Sequence, residues 1–258
     1  MLPSALARIN ALPDDALVLD VGAWGAPLHR ADHVLDIRPC ATRGVLGSFG
    51  PGPERFTEET WHLQDICDRD PWPFADDQFD FAVCVTTLED VRDPIGVCRE
   101  LSRVARAGYV EVPTVEAELI FNVEGTGSFL GHEHHRWFCD LDPDLAPADG
   151  PGLVFWHKSH MVHEDWRLRV LPRWRAQMSL EDHLLGVFWD GRLPAREHLE
   201  LGPDLDALAA RVRARFTPSA AELKVKETRE AARHVAARAL RPVRGAAGRA
   251  LDRVGRRG

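Results

Sequence analysis

Two short apolar runs, each closing in a carboxylate, constrain this chain more than any other feature. The first is LVLDVGAWGAP (17–27), in which the apolar run ends at Asp20, Val21 follows, and Gly22 and Gly25 bracket a tight bend. An apolar run of that length bounded by glycines reads as a buried parallel strand, since such strands are covered on both faces. Glycine lets the backbone turn sharply and lets a ligand lie against the main chain with no Cβ in the way. A strand, a glycine bend and a following helix place a ligand at the carboxyl edge of an open α/β sheet. The second run, HVLDI (33–37), ends in the same way at Asp36.

Further strands fall behind these two at regular intervals. One is expected around 61–64, closing at Asp65 and Ile66, and FDFAVCV (79–85) is the most strand-like segment in the chain. Between them, CDRDPWPFADDQ carries two prolines and four acids and reads as a connection, as does the Gly- and Pro-rich stretch 38–59. Asp93 and Pro94 cap a helix whose apolar residues Ile95, Val97, Cys98, Leu101 and Val104 recur near helical spacing, with Gly108 as its end. YVEVP (109–113) is the next strand, and LVFWHK and WRLRVLP are expected to supply the pair that completes the sheet. The order is that of an α/β fold with a doubly wound, mostly parallel sheet and a C-terminal helical tail. The expected division is a domain over 1–200, with a histidine-rich insertion around 114–165, followed by a basic helical tail over 201–258.

Composition narrows the class. With 258 residues, 45% of them hydrophobic, the chain holds enough apolar material for a sizeable core. No apolar run approaches the roughly 18 residues of a membrane span. The start, MLPSALARINALPDDA, reads as a short helix and not as a signal peptide. Five widely spaced cysteines with no C-x-x-C pair point to reduced thiols and a cytoplasmic setting.

LDVGAWGAP, VLDIRP, QDICDRDPWPFADDQFDFAVCVTTLEDVRDP and ELSRVARAGYVEVP, in that order and spacing, resemble a class I S-adenosylmethionine-dependent methyltransferase. The resemblance covers roughly 15–113 and lies closest to the branch often called type 11, which modifies sugars and small molecules. The chain departs from that family's D-x-G-x-G-x-G in having only Gly22 and Gly25, and Thr86 stands where histidine is frequent. The resemblance implies a Rossmann-like sheet and S-adenosyl-L-methionine as cofactor. That cofactor needs a carboxylate to accept both ribose hydroxyls, and Asp36 suits the role. The resemblance further assigns Asp65 to the adenine amino group, Ile66 to the ring face, and Asp20 with the Gly22 backbone to the methionine amino end. Gly25, Ile37, Thr86 and Leu88 complete the expected cofactor set, and Glu89 and Asp90 are expected beside the transferring methyl group. For Asp36 and Asp65 the alternative is a residue that merely starts a loop. For Glu89 and Asp90 it is a helix cap or a solvated turn.

Outside the cofactor half, GHEHHRWFCD crowds His132, His134 and His135 together with Arg136, Trp137 and Cys139, and His157, His160 and His163 follow. A neutral imidazole serves as general base on a hydroxyl, and His134 and His135 are the candidates. The same residues also read as solvated or core histidines, or as metal ligands, although H-x-H-H is not a structural-zinc spacing and no metal is assigned. The expected reaction is O-methylation of a sugar, glycan or glycolipid. The alternatives are N- or O-methylation of a natural product, and a scaffold that keeps the cofactor fold without turnover.

Charge divides the chain unevenly. From Arg211 onward there are fourteen basic and four acidic residues, a net +10 that leaves −18 for the rest of the formal −8. Leu205, Leu208, Val212 and Phe216 fall at helical spacing, and Ser219 with Glu222 forms a capping box for a second helix. A basic helix of this kind is a solvated appendage, or it contacts anionic lipid at the inner membrane face. The lack of aromatic residues beyond Phe216 argues against nucleic acid. If the tail is a lipid contact, the full chain co-sediments with anionic vesicles at low salt, and a chain ending near Pro218 does not. Equal behaviour of the two removes the tail as an anchor.

Overall fold

The structure is a computed structural model that describes residues 1–125, 129–145, 152–199 and 204–216. The apolar runs form the strands β1 (Val18–Val21), β2 (His33–Asp36), β3 (Trp61–Leu63), β4 (Phe81–Val85) and β5 (Ala107–Pro113). Beyond them lie β6 (Trp137–Asp142), β7 (Gly152–His157), β8 (Leu184–Asp190) and β9 (Ala195–Glu197). Six strands make the main sheet in the order β3-β2-β1-β4-β5-β8. The first five run parallel, and β8 pairs antiparallel with β5 from Ala107 opposite Asp190 to Pro113 opposite Leu184. The chain leaves β1 to one side through β2 and β3, then returns to the other side at β4. The crevice beyond the carboxyl ends of β1 and β4 is therefore the switch point, where such sheets bind ligands.

Each face of the sheet has its own core. Helix α1 (Pro3–Asn10) places Ala5 and Ile9 with Val18, Val34, Phe81, Val83 and Tyr109. Helix α2 (Pro94–Val104) covers the other face with Val97, Leu101 and Val104 against Leu19, Val21, Ala82, Cys84 and Val110. The α2 start is as the sequence implies: Pro94 supplies no N–H, and the Asp93 carboxylate accepts the Gly96 N–H at 2.8 Å. A small sheet, β6-β7-β9, extends this second core with Trp137, Cys139, Leu153 and Phe155.

Three expectations are corrected. LVFWHK is β7 of the small sheet, and WRLRVLP gives only a short 3-10 turn at Trp166–Leu168 and a single bridge from Val170 to Ile120. The strand that completes the main sheet is LLGVFWD, β8. Gly108 does not end α2, which stops at Val104, but lies within β5. Finally, no helix follows the glycine bend. The connection between β1 and β2 is short, Pro27 has no N–H to give a helix, and the N–H groups of Trp24 and Leu28 go to strand-end carboxylates instead of helical carbonyls.

Towards the C-terminus, helix Leu205–Arg215 is present as expected, tied down where Arg211 pairs with Glu116 at 2.6 Å and Asp140 at 2.5 Å. The chain divides into two compact units, 1–212 and 213–258, and the capping box at Ser219 and the helix after it lie outside the described residues. Among the described residues no helix is long and apolar enough to cross a membrane. All five cysteines are free thiols.

Gly108 is where the sheet tolerates least. A Cβ built there meets the Ala82 carbonyl oxygen at 2.4 Å and the Trp189 ring at 2.5 Å, so β4 and β8 both close onto bare backbone. Gly108→Ala is expected to destabilise the fold by about 1–3 kcal/mol through overpacking. Urea unfolding of the two proteins checks this, and equal midpoints would contradict the packing described.

Candidate functional site

The carboxyl ends of β1, β2 and β4 open onto a cavity of about 940 Å³. Asp20 and Asp36 form one end of it. The buried Asp20 carboxylate accepts the Leu28 N–H at 2.9 Å, and Asp36 accepts the Trp24 N–H at 2.8 Å and the Arg38 N–H at 2.7 Å. The two carboxylates thus shape the bend 22–28 from beneath while still facing the cavity, because a carboxylate carries about four acceptor sites. Burial pushes Asp20 up to about 7, opposed by the Leu28 N–H and reinforced by the charge of Asp36. Burial also raises Asp36, against the pull of the Arg38 and Trp24 N–H groups.

The bend is shaped from above as well. Gly22 has φ +75°, and a Cβ there would meet Thr87 Oγ1 at 2.4 Å, so the Thr87 side chain fills the space that Gly22 leaves. Thr86 also takes a left-handed conformation, φ 47°, its N–H held by the Glu111 carbonyl at 2.7 Å. This strained turn at the end of β4 carries the chain across the cavity floor to Glu89.

Glu89 is 1% exposed, and neither carboxyl oxygen has a hydrogen-bond partner among the described residues. Burial, with the charges of Asp90, Glu118 and Glu111 added, pushes its pKa well above the usual carboxylate range. The Glu89 main-chain carbonyl accepts the N–H groups of Arg136 and Trp137, at 2.7 and 3.2 Å, which ties the histidine stretch to the cavity edge.

The opposite wall holds His132, His134 and His135. His135 is 8% exposed, with Nδ1 2.6 Å from Glu118 Oε1, and Lys158 Nζ reaches Glu118 Oε2 at 2.6 Å and the His132 carbonyl at 2.9 Å. Burial raises Glu118, but the bond from His135 and the charge of Lys158 outweigh it and hold the carboxyl below its usual value. An ionised Glu118 only accepts, so His135 Nδ1 is the donor of that bond, and Nε2 faces Asp90 Oδ1 at 3.7 Å. His134 is 63% exposed and lies 3.9 Å from the same Asp90 oxygen.

The residues singled out from sequence divide clearly. Asp20, Gly22, Gly25, Asp36, Ile37, Asp65, Ile66, Thr86, Glu89, His134 and His135 all line the cavity. Leu88 does not: its side chain packs into the core around α2. Ile37 is 62% exposed, so its side chain covers little. Asp65 is already engaged, with Oδ2 2.5 Å from Arg92 and Oδ1 accepting the Cys67 N–H. Glu118 and Lys158 escaped the sequence reading. Glu118 sits in an ordinary-looking VEAE helix, α3 (Val115–Glu118), and Lys158 follows a strand, so neither carried a local signal of burial.

Residues 53–110, spanning β3 to β5, match the family model described as a methyltransferase domain. No curated protein sequence matches the chain. Among solved structures, an S-adenosylmethionine-dependent methyltransferase from Mesorhizobium loti is 17% identical over 45% of this chain and 56% of its own, with a TM-score of 0.31. One from Thermotoga maritima is 15% identical over 73% of this chain and 88% of its own, with a TM-score of 0.34. An arsenic(III) methyltransferase from Chlamydomonas reinhardtii is 15% identical over 44% and 50%, with a TM-score of 0.29. Against the first of these the chain spans only about half of the known protein's length. The cofactor of such a domain is S-adenosyl-L-methionine, and the donor set fits it. The ligand carries an ammonium, a sulfonium and hydroxyl donors, and Asp20 and Asp36 offer carboxyl oxygens at adjacent strand ends.

Asp20 gives a test with a defined sign. Its carboxyl holds a proton up to about 7 in the folded chain, against an ordinary 3.8, so stability falls as pH rises through that window and stays low above it. Asn keeps an acceptor for the Leu28 N–H and never ionises. Asp20→Asn is therefore expected to match the wild type near pH 4 and to exceed it at pH 8, by on the order of 2–4 kcal/mol. Calorimetric melting across that range measures the difference, and parallel curves would show that Asp20 is not the buried acid described.

Proposed function

We propose that this chain is an S-adenosylmethionine-dependent methyltransferase acting on an oxygen nucleophile, a hydroxyl of a sugar, glycan or glycolipid. One observation carries the reading: the strand-end carboxylates and the imidazole wall face each other across a single cavity. Its volume of about 940 Å³ is at the upper end for ligand pockets, which suits two molecules side by side. An open cavity with histidines in its wall also favours turnover over a scaffold that has lost it.

When bound, the cofactor supplies a methyl group on a positively charged sulfur, ready for displacement by a nucleophile. The protein's part is to hold that group and align the acceptor with it, which lowers the barrier by removing the entropy of encounter. Asp20 and Asp36 fix the cofactor's cationic and ribose ends from the β1 and β2 edges. Glu89, buried and with neither carboxyl oxygen partnered among the described residues, offers a polar group beside the reacting centre. Polar side chains of His134, Arg136, Arg175 and His183 also line the cavity and offer hydrogen-bonding groups to a hydroxyl-bearing acceptor. In the protein without added ions, His135 Nε2 takes the acceptor's proton as oxygen attacks, with the imidazole held in register by Glu118.

Calorimetry with S-adenosylhomocysteine and transfer of tritiated methyl to carbohydrate and glycolipid fractions test the two halves. Asp36→Ala is expected to weaken cofactor binding by about 2 kcal/mol, the scale of a charged hydrogen bond lost. His135→Ala is expected to lower transfer about 10²–10⁴-fold with cofactor affinity unchanged. A wild-type chain that fails to bind S-adenosylhomocysteine would sink the reading.

A further inference from the structure

We infer that His132, His134, His135 and Asp90 form a site for one divalent transition-metal ion in the wall of the cavity. The three imidazoles each offer one nitrogen, and these atoms all lie within 4.8 Å of one another. The ring centres of His135 are 4.7 Å from those of His132 and 4.6 Å from those of His134. Asp90 Oδ1 is buried and has no hydrogen-bond partner among the described residues, yet two imidazole nitrogens stand 3.9 and 3.7 Å away. Those separations are too long for hydrogen bonds. They are right for two donors on one ion, since ligands at about 2.1 Å from a metal lie at most about 4.2 Å apart. A buried acceptor left unsatisfied is costly, and an ion at the centre of these four groups satisfies it together with the lone pairs of the imidazoles.

The surroundings support a metal centre over a chance crowding of rings. His135 Nδ1 is bound to Glu118 at 2.6 Å, the carboxylate–histidine arrangement that orients metal-ligating imidazoles, and Lys158 balances the Glu118 charge. His135 is the fixed ligand. His134 and His132 are more exposed, and modest side-chain rotation closes the remaining few tenths of an ångström. Three imidazoles and one carboxylate select zinc, cobalt or nickel over magnesium and calcium, which prefer oxygen throughout.

The role of the ion rests on the methyl-transfer reading; its binding does not. An ion in this wall holds an acceptor hydroxyl as a further ligand and lowers its pKa, the proton leaving to bulk water and the oxygen remaining as nucleophile. His135 Nε2 is then a ligand, and the activation assigned to it passes through the ion.

The experiment uses the full chain, without a histidine tag and stripped by chelator, titrated with Co²⁺ by visible absorption and with Zn²⁺ by equilibrium dialysis. One ion per chain is expected, with nitrogen and oxygen ligand-field bands. His134→Ala and Asp90→Asn are each expected to weaken binding at least about tenfold, with melting unchanged. Cys67→Ser, which removes the one cysteine that is not buried, is expected to leave it intact. Absence of stoichiometric binding, binding that survives His134→Ala, or thiolate bands lost in Cys67→Ser would each overturn the site. Calorimetry with S-adenosylhomocysteine on the same samples separates the two ideas. Cofactor bound without metal removes this site alone, and metal bound without cofactor removes the methyl-transfer reading alone.

Discussion

Hydrogen bonds from loop N–H groups to carboxylates at strand ends are the interaction on which the rest of the cavity depends. Asp20 and Asp36 stand at the ends of neighbouring strands and between them hold the N–H groups of Leu28, Trp24 and Arg38. In a sheet of this class a helix usually follows the first strand, and its own ladder would satisfy that backbone. Here the carboxylates do so directly, and the bend stays irregular. Burial raises both carboxyls, and the charge of Asp36 raises Asp20 further, so the ionised forms are unfavourable in the absence of a cation. The same tension favours a positively charged ligand, which relieves the repulsion when it binds.

What was legible in the sequence follows from how local each signal is. The runs ending in Asp20 and Asp36, the strand FAVCV and the Asp93–Pro94 helix start are each written in a few adjacent residues, and each is present. LLGVFWD was passed over because nothing in it names its partner: its place beside β5 is decided by Gly108 and Trp189 meeting across the pair. Leu88 sits in sequence among residues that face the cavity, but its side chain packs inward. Glu118 was invisible for a related reason. Burial of a helix acid depends on Lys158 and His135, which arrive from elsewhere in the chain.

Glu118 shows how an expensive group is made tolerable. A carboxylate this buried is unfavourable alone, and it is stable here because each oxygen has one partner, His135 on one side and Lys158 on the other. Lys158 also bonds the His132 carbonyl, so one ammonium fixes both the orienting carboxylate and the backbone that carries the histidines. The imidazole wall is thereby placed by a network from α3, the histidine stretch and the end of β7, not by any one loop.

The pairing of β5 with β8 also sets where the chain leaves the sheet. Pro113 lies opposite Leu184, and the Thr114 hydroxyl and N–H bond the carbonyls of Asp182 and His183 at 2.6 and 3.0 Å. Everything from 114 to 183, the imidazole wall included, leaves and re-enters the sheet through this narrow neck. Lengthening such an excursion costs little, since each doubling of a loop adds only about 0.6 kcal/mol of closure entropy. Near the cavity edge the Glu89 carbonyl receives the N–H groups of Arg136 and Trp137, and the Val91 carbonyl receives the Trp137 ring N–H. The excursion therefore enters and leaves at one edge of the sheet, while its own strands β6 and β7 are anchored in the α2-side core through Trp137, Cys139, Leu153 and Phe155.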